Sequence, residues 1–163
     1  MYLSLSHVLL SYAQVPIFTT VICAELRTAL RQQVVAIEGE NMSDFGRNGE
    51  DFEAYFKRWD LQAHVIATSK DEVMAFAICG NEGRGKVFVY ELHVKGSHRH
   101  RGLATALLSL CERASTSRGR TSALLELQVH ASNKAALSFY SHAGFVQMGV
   151  ECDGDVLVMQ RKR

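Results

Sequence analysis

The most constraining feature of the sequence is a three-part run near its middle. Val87 to Val94 reads as a strand, Arg99-His100-Arg101-Gly102-Leu103-Ala104 as a short basic loop, and Leu103, Ala104, Ala106, Leu107, Leu110, Cys111 and Ala114 recur at helical spacing. A strand that passes through such a loop into an amphipathic helix leaves backbone N–H groups without intrahelical partners, all aimed at one place. The helix dipole adds partial positive charge there. Gly102 removes a side chain that would hold a bulky anion off the backbone, and Arg99 and Arg101 can add charge-assisted hydrogen bonds. Neither the Gly-x-Lys-Ser element of a triphosphate loop nor G-x-G-x-x-G is present.

The segments around this unit read as a mixed α+β chain. Helices are expected from Cys23 to about Val35 and from about Ser43 to Arg58. Strands follow at Ala63 to Thr68, Glu72 to Cys79 and Val87 to Val94, separated by Ser69-Lys70-Asp71 and Asn81-Glu82-Gly83-Arg84-Gly85. That is an antiparallel meander. The helix after the basic loop should end near Ser115 to Gly119. Ala123 to Val129 suits a buried strand, Asn133 opens a short helix that Gly144 closes, and Phe145 to Cys152 pairs with Asp155 to Gln160 across a two-residue Asp153-Gly154 turn.

With 163 residues and 47% apolar content the chain can bury one sizeable core, so 1–163 is expected to be a single domain. Lys and Arg number 18 against 17 acids, so no overall field marks a nucleic-acid or membrane binder. Met1 to Leu26 carries Glu25 as its only formal charge, yet it lacks a positive n-region and is broken by Ser4, Ser6, Ser11, Gln14, Pro16, Thr19 and Thr20. Residues 1–22 therefore read as an apolar arm packed on the domain rather than a leader or a span. Cys23, Cys79, Cys111 and Cys152 form no C-x-x-C pair and read as buried, reduced thiols, which favours a reducing compartment, cytoplasmic or nuclear. The acidic cluster Glu38, Glu40, Asp44, Glu50, Asp51 and Glu53 reads mainly as solvated surface. His98, His100 and His142 read as surface or ligand-contact groups, and no metal site is expected from the spacing.

Arg99 to Ala104 resembles the cofactor signature of the GCN-five-related (GNAT) acetyltransferases: Arg or Gln, two residues, Gly, one residue, then Gly or Ala. Leu127-Gln128-Val129-His130-Ala131-Ser132-Asn133-Lys134-Ala135-Ala136-Leu137-Ser138-Phe139-Tyr140 is similar to that family's second block. The resemblance spans Ala63 to Val150. It implies a GNAT fold whose mostly antiparallel sheet splays at the cofactor strand, with acetyl-CoA held by the backbone of Leu92, His93 and Val94, by the loop from Arg99 through Thr105, and by Asn133. It further implies that Tyr140 returns a proton to the departing thiolate. Read locally, Asn133 serves equally as a helix N-cap, and Tyr140 as core.

Attack on a thioester needs a neutral amine. An α-amino group, with pKa near 8, is an easier nucleophile than a lysine near 10.4, by about 3 kcal/mol. Glu91, in the strand that leads to the loop, is the candidate base. His93, on the same strand face, and His130, at the end of the neighbouring strand, are alternative proton relays.

Within the family, His93 to Arg99 and Leu127 to Tyr140 are similar to protein N-α-acetyltransferases. Tyr90-Glu91 and Glu40-Asn41-Met42-Ser43-Asp44 are similar to the NatD type, which acetylates histone N-termini. That resemblance implies a peptide N-terminus as acceptor, with Tyr90, Glu91 and His130 around it, and allows an auxiliary subunit. Cys79 and Asn81 stand where the NatD type has acidic residues. A lysine or small-amine acetyltransferase is the alternative on the same fold, and a non-catalytic acyl-CoA-binding adaptor is the alternative of another class.

Overall fold

A computed structural model describes residues 16–26, 28–42, 50–83, 85–116 and 124–162. One seven-stranded sheet organises them: β1 (Ile17–Ile22), β2 (Leu61–Ala67), β3 (Val73–Asn81), β4 (Lys86–Val94), β5 (Leu124–His130), β6 (Val146–Glu151) and β7 (Val156–Lys162). The order is β1-β2-β3-β4-β5-β7-β6, and every pairing is antiparallel except β4 with β5. The helices are α1 (Thr28–Met42), α2 (Glu50–Tyr55), α3 (Leu103–Thr116) and α4 (Lys134–His142). The expected mixed α+β fold with a central splayed sheet is what the chain forms.

Each face of the sheet has its own core. On one side Leu107, Leu108 and Cys111 of α3 press on Ala75, Ala77, Val87, Val89 and Leu125, with Tyr140 and Phe145 closing the end. On the other, Leu30, Val34 and Ile37 of α1, spaced as one helical stripe, meet Phe52 of α2 and Val65, Phe76 and Ile78 of the sheet. β3, between the two cores, is buried at every position from Val73 to Gly80, whereas burial alternates along β4. No helix among the described residues is long and apolar enough to cross a membrane.

Several expectations are corrected. The run from Cys23 forms a 3-10 turn, Cys23–Glu25, before α1 begins at Thr28 and continues to Met42, seven residues past Val35. Ile17–Ile22, the end of the expected apolar arm, is a β-strand. It pairs along its whole length with β2, where Thr and Val fit a half-buried edge strand. Residues 1–15 and 43–49, with Asp44 and the start of the expected second helix, lie outside the described residues, as do 117–123. The last hairpin turns through a 3-10 turn, Cys152–Gly154, with positive φ at both Cys152 and Gly154, rather than through two residues. Cys152 is exposed there, while Cys23, Cys79 and Cys111 are buried. Glu38 is buried rather than solvated, and so is His98, whose Nδ1 lies 2.9 Å from Ser97 Oγ.

One polar cross-link ties the α3 side together. Arg161 of β7 donates to Glu112 of α3 at 2.6 Å and to the Ala143 carbonyl after α4 at 2.9 Å, with its guanidinium 5.0 Å from the Phe145 ring centroid.

Candidate active site

The site begins with a defect in a ladder. Cys79 pairs with Val89 and Ile78 with Glu91, so Tyr90 is an extra residue in β4. Such a bulge bends the strand and changes which face the following residues present. Before it, Val87 and Val89 look toward α3. After it, Glu91 and His93 sit opposite Ile78 and Phe76 and look toward α1 and α2, while Leu92 and Val94 take over the α3 side.

Glu91 and His93 are both buried, and His93 Nε2 lies 2.9 Å from Glu91 Oε2. The His93 ring stacks on Phe76 at 5.0 Å between centroids and 18° between planes. Two dihedral freedoms of the imidazole are thereby fixed, one by a ring and one by a carboxylate. Tyr90 stands beside them among aromatic rings, 4.8 Å from Phe88 and 5.6 Å from Tyr55, and donates its hydroxyl to Glu82. Burial and that carboxylate push the Tyr90 phenol up. Gly80 makes room for this arrangement, because a Cβ there would come 2.6 Å from Leu61 Cδ2 and 3.2 Å from Tyr90 Cε2.

At the bulge β4 also leaves β5. Their parallel pairing runs from Lys86 and Leu124 only as far as Val89 and Leu127, whereas β5 continues beside β7 to His130. Backbone groups of β4 beyond Val89 thus have no β5 ladder partner, and a slot opens between the two strands. Tyr140 of α4 is buried next to it, packed edge-on against Phe145 at 5.5 Å. Burial pushes the Tyr140 phenol well above its ordinary value, with the charges of Glu91 and Cys111 adding to the effect. Glu91 and His93 thus lie on the stretch of β4 that has left β5, and Tyr140 belongs to the core on the α3 side of the sheet. Asn133 caps α4, its Oδ1 accepting from Ala136 N at 3.1 Å. His130 is exposed at the end of β5, with Nδ1 2.7 Å from Ser132 Oγ.

The basic loop follows the C-terminal end of β4, beyond Glu91 and His93. A 3-10 turn, Gly96–His98, carries the chain into Arg99 to Gly102 and the start of α3. His100 and Gly102 both have positive φ, 61° and 74°, and a Cβ at Gly102 would meet nothing within 4 Å. The backbone is open to an approaching group at that point, which only glycine reaches without strain. Arg99 Nε donates to the Val94 carbonyl at 3.4 Å and Arg101 Nη2 to the Ser97 carbonyl at 3.2 Å. An elongated molecule with a charged phosphate end and a slender polar arm fits this layout: phosphates at the α3 N-terminus, amides along the free edge of β4.

A model of the acetyltransferase (GNAT) family matches residues 31–145. The chain belongs to that family. It is an N-acetyltransferase, and acetyl-CoA is its acetyl donor, as in the family. No curated protein sequence matches this GNAT enzyme. Among solved structures, the ribosomal-protein-S18-alanine N-acetyltransferase from Escherichia coli aligns at TM-score 0.69 and 20% identity, over 91% of this chain and 94% of that one. The PaiA N-acetyltransferase from Thermoplasma acidophilum, in complex with coenzyme A, aligns at TM-score 0.67 and 16% identity, over 91% and 99%. A nourseothricin acetyltransferase aligns at TM-score 0.56 and 24% identity over 63% of this GNAT chain, which spans only 65% of that protein. At these identities the likeness is one of fold.

Two side chains of the site had not been singled out in the sequence: Phe76, the ring beneath His93, and Glu82, the acceptor for Tyr90. Counting residues back across the meander turn would have reached Phe76 had the bulge been visible. Glu82 carried no signal beyond its place in a turn.

Proposed function

We propose that this enzyme acetylates the α-amino group of a protein N-terminus by direct attack in a ternary complex. What supports the reading is the buried Glu91–His93 pair at the mouth of the slot, close enough to Tyr140 for its charge to act on the phenol. A carboxylate backed by an imidazole can take one proton from an ammonium of pKa near 8, a smaller demand than a lysine makes. Tyr140, protonated, gives its proton to the thiolate that leaves. Arg99, Arg101, Gly102 and the N–H groups of Leu103, Ala104 and Thr105 hold the pyrophosphate, with His100 at its edge. The backbone of Leu92, His93 and Val94 holds the pantetheine arm, and the Asn133 amide N–H groups reach the same arm while Oδ1 keeps the helix cap. Bound acetyl-CoA supplies the activated thioester.

Tyr90 and His130 flank the acceptor from the two strands. The S18-alanine enzyme, alike along nearly its whole length, acts on a protein acceptor. Within this class the NatD resemblance makes histone N-termini the first peptides to try, and Glu82 at the Tyr90 hydroxyl provides an acidic group beside the acceptor.

The test is an acceptor panel with acetyl-CoA: free-N-terminus peptides including histone tails, N-blocked lysine peptides, and polyamines. Turnover is expected with free N-termini. Turnover confined to blocked lysines or polyamines would replace this reading with the lysine or small-amine alternative, and cofactor binding without any acceptor consumed would favour the adaptor.

A further inference from the structure

On the α3 side of the sheet, away from the Glu91–His93 pair, three soft or basic groups meet inside the core. His64 of β2, Cys79 of β3 and Cys111 of α3 are each no more than 2% exposed, and their ligand atoms all lie within 4.8 Å of one another. We propose that they form a buried site for one thiophilic metal ion of the Zn²⁺ class.

Three observations carry this. His64 Nε2 stands 3.4 Å from Cys79 Sγ. Neighbouring N and S ligands on a tetrahedral zinc, with bonds of about 2.0 and about 2.3 Å, are separated by about 3.5 Å. The other ring nitrogen, Nδ1, is 2.9 Å from Thr20 Oγ1, the register partner of His64 on β1. A metal-bound histidine needs such an outer partner, which fixes ring orientation and leaves the Nε2 lone pair facing the ion. Gln62 sits directly across from Cys79 on the same face, and its buried Oε1 has no hydrogen-bond partner. An orphan acceptor there is what a metal-bound water in the fourth position would satisfy.

Charge selects the ion. Two thiolates and a neutral imidazole around a divalent ion make a neutral centre, which an apolar core tolerates, whereas a monovalent ion leaves one net negative charge buried. Mg²⁺ and Ca²⁺ take oxygen ligands and are excluded by the donor set. On binding, each thiol passes its proton to solvent, so two protons are released per ion and no redox change occurs. The ion would clamp the middle of α3 to β2 and β3, and so hold the helix whose first turn faces the cofactor.

Metal analysis of the full chain, purified reduced and without chelator, is expected to find about one zinc per chain. After stripping, Co²⁺ should give a sulfur-to-cobalt charge-transfer band with tetrahedral ligand-field absorption, and Zn²⁺ should abolish both. Cys79→Ser and Cys111→Ser should each remove that band. Because a buried serine can itself unfold the chain, the milder Thr20→Ala is measured too, with an expected loss of metal affinity on the order of tenfold or more. The melting temperature of the unaltered protein should rise with Zn²⁺ and fall back on chelation. Absence of bound metal together with an octahedral Co²⁺ spectrum would overturn the proposal, as would a Cys79–Cys111 disulfide in the purified protein.

Discussion

Tyr140 carries the clearest single-residue consequence of burial. Its folded phenol titrates above the ordinary value of 10.0. As pH rises past 10 the unfolded chain therefore loses this proton before the folded one does, the folded state holds more protons, and stability falls. Tyr140→Phe should flatten that alkaline decline in denaturant midpoints while lowering kcat by about 10²-fold or more, the scale of a lost general acid. A variant with unchanged kcat would return Tyr140 to the core. For Glu91→Gln, kcat should drop by a similar factor while the Kd for acetyl-CoA, read by calorimetry, stays put, because the carboxylate faces α1 and α2 rather than the phosphate loop. These residues were legible before any fold was known, since Glu91 interrupts an apolar strand and Tyr140 ends a dense motif. The His93 contact with Phe76 was not, because it depends on register across a turn.

Among elements, strands and helices with a clear period were found within a few residues, and the exceptions have physical causes. β1 was hidden because an edge strand needs only one covered neighbour, and Thr19 and Thr20 look like interruptions until β2 is beside them. The His64, Cys79 and Cys111 cluster was invisible for a similar reason. Its members lie on β2, β3 and α3, and their spacing along the chain follows no metal-ligand pattern. The helices also depend on ties that sequence does not display, chiefly the Arg161–Glu112 pair, whose side chains are 18% and 10% exposed. Glu112→Gln leaves the guanidinium against the Phe145 ring with only the Ala143 carbonyl as a full partner, and urea denaturation should show a loss of about 3 kcal/mol. A loss under 0.5 kcal/mol would mean that solvent screens the pair. At the α3 N-terminus, Arg99→Ala and Arg101→Ala should each weaken acetyl-CoA binding by about tenfold and reduce its salt dependence, as removal of one charge-assisted hydrogen bond does. Equal binding of the parent and both variants would show that the backbone alone holds the phosphates.

Across the whole molecule, the sheet separates two tasks. In the proposed mechanism the α3 side receives the donor and the α1 and α2 side the acceptor, and they meet where β4 and β5 part. The order of elements announced this plan, but where the parting begins is set by the bulge. Since Tyr90 is surplus to the ladder, a chain lacking it could pair β3 with β4 without a break and would still present Glu91 beside Ile78. What such a chain would lose is the bend. β4 could then run on alongside β5, and the edge left for the pantetheine amides would be consumed by the sheet itself. A Tyr90 deletion should accordingly yield a folded protein, its circular dichroism retained, that no longer binds acetyl-CoA. On this view an open enzyme and a sealed, inert sheet differ by a single codon.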